Sequence, residues 1–459
     1  MISALGKRLS RWSERYVPDP FVLVLLLTVL TAGAAFFWGA EFQEAAAPDR
    51  LSLLGASWFS EFYDVGLMRF ALQMVIVLVT GHALAMSAPV RRGIRALTRL
   101  VVTPGAAVVV VALVACLASL VQWGLGAIAG AFMAREMGRA FAAEGRPVHY
   151  PLLGAAGYGG FLIWHGGLSG TAPLTVAQSD HFLIETLGQI PVSETLLSEL
   201  NLVVTGSLLI IIPLLFWRLT PKDPAQMRGF PLEEGDDDDG GLDVPEPDET
   251  AHPVVRFLEG SRFLSLFVGL AMVGVIINYF AQHGVDGWNL DSINLLFLTL
   301  GILAHPTPRS YVVAIADGVR GAAGIVLQFP FYFGILGMLR ESGLIEQLSQ
   351  FFMEISTAAT YPLFVFLSAG IVNFFVPSGG GQWAVQGPVM MEAIEDLGVA
   401  PHRAIMALSY GDAWTNMLQP FWALPLLGIM GLKARDIIGY TGFVFLVTGP
   451  WIMFLLFLL

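Results

Sequence analysis

The sequence is short of charge: only 13% of its 459 residues are Asp, Glu, Lys or Arg, against roughly 25% in an average soluble domain. That shortage excludes a soluble enzyme and a nucleic-acid-binding protein. Cysteine is scarcer still. Cys116 stands alone, so no disulfide can form within the chain, and its apolar surroundings read it as a small core residue. No His-Glu-x-x-His pattern and no Gly-x-x-x-x-Gly-Lys-Ser/Thr loop occurs, which removes zinc proteolysis and nucleotide-driven transport. No Ser/His or paired-Asp constellation is evident, so an intramembrane enzyme has nothing to carry it. The short alternating segments of a membrane β-barrel are absent as well.

Apolar sequence is what the chain has instead. Hydrophobic residues make up 55% of it, the mean hydropathy is +0.69, and runs such as 21–38 and 437–457 recur. About 20 such residues in a helix cross the hydrocarbon core of a bilayer, so the composition predicts an all-α polytopic membrane protein. The net charge of −12 is misleading. Ten acids (Glu233, Glu234, Asp236, Asp237, Asp238, Asp239, Asp243, Glu246, Asp248 and Glu249) fall in one stretch without Lys or Arg, and without them the body carries −2. A like-charge run reads as a solvated linker.

Charge placement orients the spans, because Lys and Arg gather on the cytoplasmic side. Lys7, Arg8, Arg11 and Arg15 put the N-terminus inside, and no small-residue cleavage pattern follows the first apolar run, so it is read as a retained span. Residues 20–38 then lead to an acidic outer segment (Glu41, Glu44, Asp49, Glu61, Asp64), and 69–88 return to Arg91, Arg92, Arg95 and Arg99. Residues 103–140 have basic flanks at both ends and a break at 122–126, which predicts a re-entrant helical hairpin opening inward. Outward 151–175, interrupted by glycines and Pro173, and inward 201–217 complete the first half. The second half reads as 263–280, 292–304 and 321–339, a hairpin at 360–396 broken at 377–381 and opening outward, then 402–430 and 437–457. The total is nine spans and two hairpins.

The halves match in order. A shift of 252 residues places Tyr158-Gly159 on Tyr410-Gly411 and Pro173-Leu174 on Pro425-Leu426; shifts of 251 and 255 pair Gln122-Trp123 with Asn373-Phe374 and Leu72-Gln73 with Leu327-Gln328. The paired elements have opposite orientations. This predicts two inverted-topology repeats, 1–219 and 261–459, joined by an acidic cytoplasmic linker at 220–260, with 263–280 as the connector helix. Inverted repeats with broken helices at the midplane are a transporter architecture, and they disfavour a passive channel.

Four breaks then converge: 122–126, 165–173, 377–382 and 412–420. None contains Lys or Arg, so an anion would be held by helix N-termini, each worth about half a positive charge, and by neutral donors. One carboxylate suits such a site better than two or three. The candidate substrate contacts are Gln122, Trp123, Gly124 and Gly126 at the first tip, and Ser378, Gly379, Gly380, Gly381 and Gln382 at the second. His165, Ser169, Thr171, Trp414, Asn416 and Gln419 join them from the broken spans. Trp164, Trp383, Phe421 and Trp422 offer apolar walls. Asp412, the one carboxylate at the centre of the breaks, is with Asn416 and Asn373 the candidate for the coupling ion, H⁺ or Na⁺. His165 is the other titratable group there, and a satisfied structural histidine is the alternative reading of it. No metal or cofactor is expected.

At Val376-Pro-Ser-Gly-Gly-Gly-Gln-Trp383, Tyr410-Gly-Asp-Ala-Trp-Thr-Asn-Met417 and Gln419-Pro-Phe-Trp-Ala-Leu-Pro425 the chain resembles the short-chain fatty acid transporter family. Tyr16-Val-Pro-Asp-Pro20, Thr80-Gly-His-Ala-Leu-Ala85, Trp164-His-Gly-Gly-Leu-Ser-Gly-Thr171 and Leu327-Gln-Phe-Pro-Phe-Tyr332 are similar to it too, and the likeness runs from about residue 10 to the C-terminus, weakening in the linker. The resemblance implies an inner-membrane permease for short-chain monocarboxylates such as acetoacetate and butyrate, working in the bilayer without nucleic acid. Through a related ion-transporter superfamily it also implies a homodimeric elevator. Family members can carry Glu in place of Asp412 and Gly in place of His165, which argues against His165 as an essential proton carrier. A cation/proton exchanger or dicarboxylate transporter of the same architecture is the competing reading, separable by substrate competition.

Overall fold

The computed structural model describes residues 15–16, 18–178, 181, 183–231, 244, 250–287, 290–375, 377, 379–419 and 421–459. The ten linker acids, Val376, Ser378 and Pro420 lie outside the described residues. Among the described residues the chain forms helices and no strands, and seven helices are long and apolar enough to cross a membrane.

Local chemistry sets where these helices begin. α1 (Pro20–Trp38) starts on Asp19, whose carboxylate accepts the Phe21 N–H at 2.9 Å, with proline in its first turn. The acidic segment read as an outer connection is itself largely a helix, α2 (Ala47–Phe62). It is held on a later helix by Trp58, which lies against Gly334, and by a 2.8 Å ion pair between Glu61 and Arg340. α3 (Val65–Met86) leads to the arginine-bearing α4 (Ala88–Arg99). α5 (Pro104–Val121) is capped by Thr103, and α6 (Trp123–Ala143) by Gln122, whose Oε1 accepts the Leu125 N–H at 2.8 Å.

Gly126 faces Ser119 and Gly130 faces Ala115, so α5 and α6 run antiparallel about the break at Gln122. α7 (Tyr150–Gly159) packs on both; a Cβ on Gly157 would stand 2.7 Å from the Gly130 carbonyl oxygen, an approach only small residues permit. The chain then breaks through two single 3-10 turns, Gly160–Leu162 and Trp164–Gly166, before α8 (Thr171–Val176) and α9 (Glu199–Leu219).

The second half contains α10 (Arg262–His283), α11 (Leu290–Ala304), α12 (Pro308–Val319) and α13 (Ala323–Glu341). α12 and α13 are nearly continuous, joined by one 3-10 turn at Arg320–Ala322, so the helical run through the predicted span 321–339 starts at residue 308. α14 (Leu344–Glu354), α15 (Tyr361–Asn373), α16 (Gly379–Leu397), α17 (Pro401–Thr415), α18 (Leu424–Met430) and α19 (Ala434–Leu458) follow. Gln386 Nε2 donates to Ser368 Oγ at 2.9 Å and the Tyr361 hydroxyl to the Met390 carbonyl at 3.1 Å, so α15 and α16 are antiparallel as well. α17 and α18 are separated by a break, as α7 and α8 are.

Packing sorts the helices into two groups. One contains α1, α2, α3 and α10–α13; the other contains α5–α9 and α15–α19. Both draw on both halves of the chain. α3 against α6, and α18 against the 320–322 turn and α13, are the principal direct contacts between groups, while α4 and α14 touch both.

Candidate functional site

Two broken elements meet in the second group. The His165 Nδ1 lies 2.7 Å from Asp412 Oδ2, and the two side chains are 0% and 2% exposed. Which nitrogen carries the proton follows from the neighbours. The Ala172 backbone N–H donates to His165 Nε2 at 3.3 Å, so Nε2 is the acceptor of a neutral ring, and Nδ1–H donates to the carboxylate. The Thr171 hydroxyl lies 3.1 Å from the same Nε2 and can donate to it too. The Trp164 indole stacks on the imidazole at 4.3 Å.

A network of amides surrounds the pair. Asn373 Nδ2 is within hydrogen-bond reach of the Asp412 carbonyl (2.8 Å), Thr415 Oγ1 (3.0 Å) and Asn416 Oδ1 (2.8 Å). Gln419 Nε2 donates to the Asn373 carbonyl at 2.8 Å. The Asn373 Oδ1, the Asn416 Nδ2 and the Gln419 Oε1 are buried without a partner among the described residues. An unpaired buried polar atom costs about 1–3 kcal/mol, so these three atoms stand open to a further partner.

The second tip closes on the first break. A Cβ on Gly379, the first residue of α16, would stand 2.7 Å from Thr171 Oγ1, 2.8 Å from His165 Cε1 and 2.9 Å from Trp164. Glycine therefore lets the α16 N-terminus reach this pair. Gly380 meets nothing nearby, and Gln382 Nε2 donates to the Ala369 carbonyl at 2.8 Å, within its own helix pair. At the first tip the Trp123 N–H donates to Ser169 Oγ at 3.1 Å, Gln122 is occupied as a helix cap, and Gly124 and Gly126 lie in the first turn of α6. Trp414 turns the other way: its ring stacks on Phe445 at 4.0 Å and its N–H donates to the Phe445 carbonyl.

The repeat-matched tyrosines each reach the opposite half. The Tyr158 hydroxyl donates to the Asn416 carbonyl at 2.9 Å. The Tyr410 hydroxyl donates to Asn201 Oδ1 at 3.0 Å, and Asn201 Nδ2 in turn donates to the Gly166 carbonyl at 2.8 Å. Their role was visible in the sequence only as the 252-residue match; Asn201 carried no signal. A cavity of about 800 Å³, unanticipated from sequence, opens between the two helix groups and is lined by Leu78, His82, Arg135, Asp317, Gln328 and Leu424 among others. Its wall holds a second pair, His82 Nε2 to Asp317 Oδ2 at 2.8 Å. No group of three or more His, Cys, Asp or Glu that could hold a metal occurs among the described residues.

With this geometry in place, the comparisons with known proteins decide the family. The family model described as "Short chain fatty acid transporter" matches residues 1–459. The chain belongs to that family. It is 37% identical over 440 residues to a protein of Escherichia coli (strain K12) provisionally named a short-chain fatty acid transporter, covering 96% of each chain. A relative of the same name in Haemophilus influenzae (strain ATCC 51907 / DSM 11121 / KW20 / Rd) is 34% identical over 463 residues, 98% of each. Among solved structures the chain is similar to the Alcanivorax borkumensis YdaH transporter at 17% identity and a TM-score of 0.43, covering 95% of this chain and 98% of that one. Family membership and the seven apolar helices make this a multi-pass membrane protein of a transporter family.

Proposed function

We propose that the chain is a secondary active carrier that imports short-chain fatty acid anions, of the acetoacetate and butyrate type, across the inner membrane by alternating access. The observation that carries this reading is the sealed His165–Asp412 pair, which joins the two broken elements within reach of the α16 N-terminus. A single ionisable couple at that depth suits one monocarboxylate and one coupling ion. The ion is either a proton taken by Asp412 or Na⁺ held by the oxygens of Asp412, Asn373 and Asn416, and the unpartnered Asn373 Oδ1 gives the second option a free ligand.

The two antiparallel helix pairs are read as re-entrant hairpins of inverted repeats, supported by the paired tyrosine contacts across the halves. The two helix groups are read as a scaffold and a moving body, and the protein as a homodimer with its N-terminus in the cytoplasm. Ser378, which precedes Gly379 in the sequence and lies outside the described residues, is kept as a proposed donor to the substrate carboxylate.

The test is uptake of labelled butyrate and acetoacetate into proteoliposomes under an imposed pH gradient, with and without Na⁺, against protein-free liposomes. Accumulation above that control is expected. Its absence under every gradient, from folded protein, would overturn the reading. Asp412→Asn should lower gradient-driven accumulation by at least about 100-fold, the scale of losing a charge-assisted interaction of about 3 kcal/mol.

A further inference from the structure

Two apolar helices meet end to end where α5 begins and α9 stops. A Cβ on Gly105, the second residue of α5, would stand 2.7 Å from Trp217 Cδ1 and 2.8 Å from its Nε1, so glycine there lets the Trp217 ring lie across the first turn of α5. Both helices are long and apolar enough to cross a membrane. Their shared end therefore falls at the boundary between acyl chains and headgroups, the depth at which tryptophan anchors. Beside it opens a second cavity of about 570 Å³, with Trp217, Arg218, Thr220 and Lys222 in its lining.

The charge of this cavity is of one sign. Its lining holds Arg218 and Lys222 and, among the described residues, no acid. Neither cation has an ion pair among the described residues. Asp223 and Glu144, close to the lining in sequence, are engaged elsewhere: Asp223 Oδ1 accepts the Ala225 N–H at 3.0 Å, and Glu144 pairs with Arg146 at 2.7 Å. The Arg218 guanidinium lies 5.3 Å from the centre of the Trp217 ring, within cation–π range. A second feature points the same way. Ile210, Leu214 and Trp217 are exposed and recur at the i, i+4, i+7 spacing of one helix face. An apolar stripe thus runs along α9 to a cationic cavity at its end.

We propose that this cavity holds the phosphate of an anionic phospholipid whose acyl chain lies along the α9 stripe. Arg218 and Lys222 donate to the phosphate oxygens. The uncompensated positive charge selects a headgroup without a cation of its own, because the ammonium of a zwitterionic headgroup would face Arg218 and Lys222. Arg218 lies roughly 25 Å along α9 from Asn201, the residue that bonds Tyr410 and the Gly166 carbonyl, so the lipid site stands apart from the His165–Asp412 couple.

Native mass spectrometry of the purified full-length protein tests the assignment. The probes are a phosphatidylglycerol, a phosphatidylcholine with the same acyl chains, and soluble glycerol phosphate. The wild-type protein is expected to bind the phosphatidylglycerol most tightly. Arg218→Gln with Lys222→Gln should weaken that binding about tenfold or more, the scale of two cations near an anionic headgroup; thermal unfolding confirms that the variant is folded. Lys222→Gln alone, at a position outside any helix, should weaken it about threefold or more. The charge-matched control, Arg256→Gln with Arg262→Gln, alters two exposed arginines outside the cavity and should leave binding unchanged. Equal affinity for the two lipids, unchanged binding in the Arg218 and Lys222 variants, or an equal loss in the control would overturn the site. Glycerol phosphate bound as tightly as the lipid would overturn the lipid assignment in favour of a free phosphate.

Discussion

Two histidine–aspartate pairs occupy this protein, and they differ in access to water rather than in chemistry. His165–Asp412 is 2.7 Å long with 0% and 2% exposed side chains, while His82–Asp317 is 2.8 Å long with 7% and 37%. The first has its other ring nitrogen taken by a backbone N–H and is held in one tautomer. The second lies on a cavity wall, where Asp317 also faces Arg320 at 3.7 Å and shares the lining with Asp19, Arg135 and Lys433. The same two side chains therefore make a sealed orienting strut in one place and a cavity-wall pair whose carboxylate is open to water in the other. Burial decides which.

Removing one partner from each pair tests this most strongly. His165→Ala leaves the Asp412 carboxylate buried and unpaired, and is expected to destabilise the protein by about 3–5 kcal/mol. His82→Ala should cost less, because Asp317 keeps its access to water when its partner is lost. Thermal unfolding in detergent ranks the two; equal losses would erase the distinction. Next in size is Gly318→Ala. Its Cβ would meet the His82 Cβ and Cδ2 at 3.2 Å, so His82 must give by a few tenths of an ångström and the cavity-wall pair is loosened. The expected result is a lower uptake rate in the proteoliposome assay; a wild-type rate would separate the cavity-wall pair from transport.

The smallest effect comes from a third histidine, His305, which lies between α11 and α12 and has a carbonyl in place of an acid: its Nε2 is 2.8 Å from the Ala83 oxygen. Burial pushes its pKa below the ordinary value of about 6.5, against the opposing pull of that carbonyl. The unfolded chain then binds more protons than the folded one between the lowered and the ordinary value. The stability due to a neutral His305 is complete above that window and lost as pH falls through it. His305→Gln should remove this acid-side loss, measured as the melting temperature across pH 5 to 8.

Much of the candidate site was legible because its markers are local. Gly and Pro pointed to breaks at 122–126, 165–173, 377–382 and 412–420; the helices end at Val121, Gly159, Asn373 and Thr415, in or close to those stretches, and parts of each stretch are helical. Asp412 was legible as a lone carboxylate in apolar sequence. α2 was harder to see, since its acids mark a loop side of the membrane while Leu54 and Trp58 hold it on α13 as a helix. Gln328 was quoted only within a family motif, because no run of residues shows which helix it will face.

The sequence by itself determined that the chain is a helical membrane protein and which family it belongs to, and it marked most of the places where its long helices break. These follow from chain length, apolarity and capping, which act within a few residues. Only the tertiary structure decided that His165 meets Asp412, that His82 meets Asp317, and that the Trp217 ring lies over Gly105. Those partners lie far apart in the chain and are joined by short, directional hydrogen bonds and ring contacts. A helix that is apolar nearly all round carries no stripe to fix its rotation, so packing against its neighbours chooses which polar side chains come together.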